Sequence, residues 1–187
     1  SKNFFSSDLI LRSLLKRGLS DSGFSYMSDK LSQIGKSAAV EMNPLAMEAD
    51  KHGPTLVKRN FLGQDIDDIK FHPSYWKLLN IAVKTEMFRV KWEPRLREQF
   101  KGESNQLGFS TGFLFAMSEM GQYCPLCMTD GVARLIDLHC KEEDKERLLK
   151  HIYTDAVEDL YTGAMFLTEK TGGSDVGANQ VTASHLK

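Results

Sequence analysis

The sequence predicts a mainly helical domain followed by the first strands of a truncated β-domain. Three observations carry that reading. Apolar residues recur at steps of three and four through most of the first 160 positions. Proline and glycine punctuate those runs where helices should start and stop. Near Tyr161 the pattern changes to short apolar stretches separated by a glycine turn. A sheet of one or two strands cannot bury itself, so a domain of residues 1–160 would be followed at 161–187 by the incomplete edge of a second one.

Ser7-Asp8 can cap a helix that runs through Arg17 and stops at Gly18. Ser25 to Val40 carries Met27, Leu31, Ile34 and Ala38 on one stripe. Asn43-Pro44 reads as a cap and first-turn proline for a helix to Lys51, and His52-Gly53-Pro54 as its stop. Thr55 to Phe71 reads as an extended arm or loose hairpin. Pro73 opens the clearest helix, with Trp76, Leu79, Val83, Met87 and Val90 in register until Pro94, and with Tyr75 and Trp76 as core packing. Ser104 to about Gln122 is the next helix, its apolar face Leu107, Thr111, Leu114, Phe115 and Ser118. Gly108, Gly112 and Ala116 in that helix allow close approach of a neighbour. Tyr123-Cys124-Pro125 should break it, and Thr129 should cap Asp130 to Cys140. Lys141 to Arg147 is a mixed-charge solvated turn leading to Leu148, Leu149 and Ile152. Gly163 to Thr168 and Gln180 to Ser184 read as strands.

The balance of 24 basic and 25 acidic residues argues against a protein that coats phosphates. Arg89, Lys91, Arg95, Arg97 and Lys101 form a basic stretch interrupted by Glu93 and Glu98, which reads as a solvated face; nucleic-acid binding is not favoured. No apolar run approaches the roughly 20 residues of a membrane span, and the first residues lack a secretory pattern. Three unevenly spaced cysteines do not make a disulfide framework. The expected setting is intracellular, in cytoplasm or mitochondrial matrix. Cys124-Pro125-Leu126-Cys127 is a single C-x-x-C; a half-zinc or redox role with His139 and Cys140 is the lesser reading beside a packed turn. The five histidines share no ligand spacing, so no metal is expected.

The stretch Leu167-Thr168-Glu169-Lys170-Thr171-Gly172-Gly173-Ser174-Asp175-Val176 is the most informative. Adjacent glycines can turn successive N–H groups toward one anion, and Thr168, Thr171 and Ser174 add hydroxyl donors. Chemistry alone leaves two readings, a nucleotide-cofactor loop or an ordinary turn. It is neither a Walker loop nor G-x-G-x-x-G.

This stretch resembles the flavin-binding signature of the acyl-CoA dehydrogenase family, and Lys170 and Gly172 match its AidB-like branch. Asn3 to Asp8, Asp67 to Pro73 and Cys124 to Thr129 are similar to the same branch, in order along the chain. The resemblance implies a helical N-terminal domain, FAD as cofactor, an acyl-CoA substrate and a homotetramer of the full-length protein. It implies that Met165, Phe166, Leu167, Thr168, Glu169, Lys170, Thr171, Gly172, Gly173 and Ser174 line the flavin, with Thr168 donating to its edge and Ser174 reaching the pyrophosphate or the substrate's thioester arm. In most of the family the catalytic glutamate lies in a C-terminal bundle, so no catalytic residue is assigned here and Glu169 is not that base. The rival readings are a non-catalytic flavoprotein of the same fold, which sequesters acyl-CoA or protects DNA, and a helical interaction domain. The electron acceptor is not specified by these residues.

Overall fold

The computed structural model describes residues 2–170 and 173–184. Its helices run α1 Phe4–Ser7, α2 Leu9–Gly18, α3 Asp21–Ser37 and α4 Asn43–Lys51. A two-stranded arm of β1 Thr55–Arg59 and β2 Asp65–Lys70 follows. Then come α5 Pro73–Lys84, α6 Arg89–Trp92, α7 Pro94–Gln99, α8 Ser104–Ala116, α9 Met120–His139 and α10 Glu142–Ile152.

Caps written in the sequence set several of these starts. Asn3 Oδ1 accepts the N–H of Ser6, Asp8 that of Leu11, Ser20 that of Gly23 and Glu119 that of Gln122. The stripe Met27, Leu31, Ile34 and Ala38 is buried throughout. Gly35 lies where a Cβ would meet the Phe5 nitrogen at 2.5 Å, so α1 packs flush against α3 only because that position is glycine.

Asn43 does not cap a new helix. The chain runs from α3 into α4 through a π turn at Ala38–Met42, with Asn43 itself helical at φ −58°, ψ −49°. Pro44 has no N–H to give the carbonyl of Val40, and a wider turn at this point removes the conflict. The Ser118 hydroxyl reaches across at 2.6 Å to the Ala38 carbonyl.

The core has two lobes. Met42, Leu78, Phe88, Phe115, Leu126 and Ile152 belong to one; Met27, Leu31, Val90, Leu107 and Leu114 belong to the other. Helix α8 lies between them, burying Leu114 in one lobe and Phe115 in the other. The turn from α5 to α6 is tied to α3 by Glu86, which holds a left-handed φ of 62°. Its carboxylate accepts from the Tyr26 hydroxyl at 2.8 Å and pairs with Lys30 at 2.8 Å. Burial raises the Glu86 carboxyl, but the bonds from Lys30 and Tyr26 outweigh it and hold the group below its ordinary value. Burial, then the bond to Glu86, pushes the Tyr26 phenol well up.

Further expectations need correction. Pro125 does not end a helix: it sits inside α9, which runs unbroken from Met120 to His139. Gly121 and Pro125 both lie on the exposed side of α9, which leaves the carbonyl that proline cannot bond open to solvent. Thr129 is therefore mid-helix and fully buried rather than a cap. Trp76 is half exposed: α5 buries Leu78, Leu79, Ala82 and Val83, and Trp76 instead meets Phe71 and Tyr75 edge-on. Finally, Gly163 to Thr168 and Gln180 to Ser184 form no strand among the described residues.

Candidate functional site

Two features converge on α9: the start of the loop singled out in the sequence, and a small cavity. The loop is led in along α10. The backbone N–H of Tyr161 donates to the His151 carbonyl at 3.1 Å, and the two rings stack with centroids 4.1 Å apart. Gly163 then docks on α9. Its N–H donates to the Thr129 hydroxyl oxygen at 3.0 Å, while that hydroxyl donates to the Pro125 carbonyl at 2.9 Å. A Cβ on Gly163 would fall 2.5 Å from Cγ2 of Val132 and 3.2 Å from the Met128 carbonyl, so only glycine fits this approach.

Beyond Gly163 the chain leaves the helical surface. Met165, Phe166 and Leu167 are exposed, Phe166 at 97%. No hydrogen bond from the backbone N–H groups of Met165 to Thr168 is found among the described residues. Two side chains hold the excursion together. Glu169 accepts the backbone N–H of Gln180 at 2.8 Å and of Val181 at 2.9 Å. Asn179 Nδ2 donates to the Leu167 carbonyl at 2.7 Å, and its Oδ1 is buried with no donor among the described residues. These side-chain bridges replace the expected strand ladder.

Of the residues assigned to the flavin, Met165 to Lys170, Gly173 and Ser174 lie on this one exposed stretch. Thr171 and Gly172 lie outside the described residues. Glu169 is half-buried, and its carboxylate is taken up by two backbone donors, which makes it a brace rather than a free base. Sequence reasoning missed Asn179 and Thr129, whose roles depend on partners 12 and 34 positions away.

The cavity, about 250 Å³, is bounded by α6, α8 and α9. Met87, Phe88, Phe109, Leu126 and Cys127 give it apolar walls, and Tyr123, Lys91 and Asp130 give it a polar side. Lys91 is only 6% exposed, ion-paired with Asp130 and 4.1 Å from the Phe109 ring centroid. The Trp92 indole donates to Asp130 at 2.7 Å, so the carboxylate serves two donors. Gly108 permits this: a Cβ there would strike the Lys91 stem at 2.6 Å. Burial, then the neighbouring Cys127, pushes the Tyr123 phenol up to about 12.

The basic stretch is largely neutralised. Arg89 faces Glu86 and Asp155, Lys91 is internal, Arg97 forks onto Asp137 at 2.7 and 3.0 Å, and Lys101 meets Glu98 at 3.5 Å. Cys124 and Cys127 are free thiols on one helix, and no group of three or more metal-ligating side chains occurs among the described residues. No helix there is long and apolar enough to cross a membrane.

Known proteins share this architecture. Over 175 residues the chain is 27% identical to the putative acyl-CoA dehydrogenase AidB of Escherichia coli K12, covering 88% of this chain and 31% of that protein. Over 177 residues it is 25% identical to acyl-CoA dehydrogenase family member 11 of Caenorhabditis elegans, covering 93% of this chain and 28% of that protein. The solved apo form of Bd2924 superposes with a TM-score of 0.87 at 28% identity, over 99% of this chain and 37% of that one. The Caenorhabditis elegans ACDH-11 complex with C11-CoA shares the fold with a TM-score of 0.83 at 23% identity, over 97% of this chain and 30% of that one. The chain thus spans about a third of the length of the relatives it matches. Residues 1–158 match the profile of the adaptive response protein AidB N-terminal domain, and the chain belongs to that family.

Proposed function

We propose that this chain is the N-terminal part of an FAD-dependent acyl-CoA dehydrogenase that converts a fatty acyl-CoA to its 2,3-enoyl thioester. The observation that carries the reading is the Thr168–Ser174 signature on a stretch whose base is fixed to α9 and whose backbone donors are open. The donor set fits a flavin edge. Open N–H groups at Met165 to Thr168 and the exposed Thr168 hydroxyl suit ring carbonyls. Exposed Met165, Phe166 and Leu167 offer apolar surface to a flat ring. Ser174, also exposed, is assigned to the pyrophosphate or thioester arm.

When bound, the flavin would accept the β-hydride of the acyl thioester while a glutamate of the longer protein takes the α-proton. In this chain the 163–170 stretch would hold the ring's edge, and donors aimed at its carbonyls would favour the reduced, more negative form. The acyl-CoA carried by the ACDH-11 relative supports a thioester substrate. Residues 161–187 would open the second domain, and the assembly of the longer protein would be a homotetramer.

The test is the spectrum of the purified protein together with its downstream region. Bound FAD that bleaches on anaerobic addition of acyl-CoA supports the dehydrogenase. Bound FAD that never bleaches, whatever the chain length, supports a non-catalytic flavoprotein. A colourless protein that does not take up added FAD overturns both.

A further inference from the structure

Helix α2 turns one side to the core and an unusual one to solvent. Leu15 is buried and Leu11 half-buried, and both pack into the lobe that holds Leu107. On the outside, Leu9 is 72% exposed, Ile10 75% and Leu14 54%. A helix steps about 100° per residue, so Leu9, Ser13 and Arg17 follow one another along the outer face, with Ile10 and Lys16 to either side. Three exposed aliphatic side chains on so short a helix mark a surface that meets something.

The charge around them is of one sign. Residues 1–20 hold Lys2, Arg12, Lys16 and Arg17 and a single acid, Asp8, whereas acids outnumber bases in the rest of the chain. The Asp8 carboxylate is occupied as a cap, accepting the Leu11 N–H at 2.8 Å. Arg12 and Arg17 reach only backbone carbonyls, of Ser6 at 3.4 Å and Ser13 at 3.3 Å. None of the four bases has an ion-pair partner among the described residues. An apolar protein face would cover the aliphatic side chains and strand these cations. An acidic protein or a nucleic acid would answer the cations and have no use for the aliphatic side chains. A bilayer with anionic headgroups answers both: its phosphates take the Lys and Arg heads, and its acyl boundary takes the aliphatic side chains and the stems of the bases. Ten residues of helix measure about 15 Å, half the thickness of a bilayer core, so α2 would lie along the surface and not cross it.

We propose that the outer face of α2 is a peripheral docking surface for anionic phospholipid membranes, with Leu9, Ile10 and Leu14 entering the headgroup boundary and Arg12, Lys16 and Arg17 held against lipid phosphates. The contact is reversible, set by lipid charge and salt, and uses no residue of the candidate flavin stretch.

The test is co-sedimentation of the chain with vesicles of phosphatidylcholine alone or mixed with phosphatidylserine, with circular dichroism to confirm folding. The wild type binds the mixed vesicles, leaves the neutral ones, and is released as salt shortens the reach of charge. Leu9→Ser with Ile10→Ser, and separately Lys16→Glu with Arg17→Glu, each weaken binding by about tenfold or more at unchanged helical content. Lys58→Glu with Lys70→Glu, which removes as much positive charge from the exposed β1–β2 arm, leaves binding as it was. A wild type that ignores the mixed vesicles overturns the proposal. So does binding that the Leu9 and Ile10 changes do not weaken, which would make α2 a site for polyanions in general, or binding that the arm variant weakens equally, which would make it diffuse charge. Binding by the chain that vanishes in the protein with its downstream region also overturns it, because the face would then be an internal one.

Discussion

The Thr129 hydroxyl accepts the backbone N–H of Gly163 at 3.0 Å and so couples the buried middle of α9 to the root of the candidate flavin stretch. Thr129 is fully buried, and its proton is committed to the Pro125 carbonyl at 2.9 Å. Thr129→Val keeps the shape and removes both bonds. The expected cost is about 1–3 kcal/mol, the penalty for leaving a half-buried N–H unpaired. Urea unfolding measures the loss, and limited proteolysis should show cleavage after Gly163 appearing earlier. Thr129→Ser should retain most of the stability.

Gly163 tests the same junction from the other side. Gly163→Ala places a methyl 2.5 Å from Cγ2 of Val132, and α9 cannot retreat without disturbing the core. Overpacking of this kind costs about 1–3 kcal/mol. Adding Val132→Ala should recover most of it, a non-additivity that a double-mutant cycle reads directly.

Lys91 and Asp130 should behave as a buried pair. Asp130→Ala strands an ammonium that is 6% exposed and removes the acceptor of the Trp92 indole. A cost of about 3–5 kcal/mol is expected. Lys91→Met should cost less, because Asp130 keeps the indole donor and is nearer solvent. Lys91→Met with Asp130→Leu should be more stable than Asp130→Ala alone. Thermal unfolding of the three variants gives the order.

Asp137 gives a pH dependence. Hydrogen bonds from Arg97, reinforced by the Arg97 and Arg134 charges against a smaller effect of burial, hold its carboxyl below the ordinary range. A depressed folded value means the stabilisation is fully present above the unfolded carboxylate pKa of about 3.9 and is lost as pH falls through the lower folded value. Arg97 is partly exposed, so Asp137→Asn should cost only about 1 kcal/mol near neutral pH. The gap between wild type and variant should narrow as pH falls below the ordinary carboxylate range, as denaturant midpoints at neutral and acid pH would reveal.

What the sequence disclosed was whatever is local. The stripe Met27, Leu31, Ile34 and Ala38 was legible because helical spacing alone decides which side of α3 is apolar. The arm at Thr55–Lys70 and the close packing at Gly108 and Gly112 were legible for similar reasons. Pro125 misled because a helix can tolerate an interior proline where the freed carbonyl lies on an exposed side, and exposure of that side of α9 is a tertiary fact. Trp76 misled because a stripe continues in sequence even where the core beneath it has ended. At the candidate site the motif marked the stretch, but not its moorings. Thr129, Glu169 and Asn179 act through partners that only the folded chain brings near.

The π turn at Ala38–Met42 has a geometric consequence for everything after it. One residue of helix turns the following chain by about 100° and advances it about 1.5 Å. That single widened loop therefore acts as a compass setting. It aims α4, and through α4 the arm that begins at Thr55, so deleting one residue between Ala38 and Met42 would leave both elements intact and swing the arm roughly a quarter-circle to another bearing.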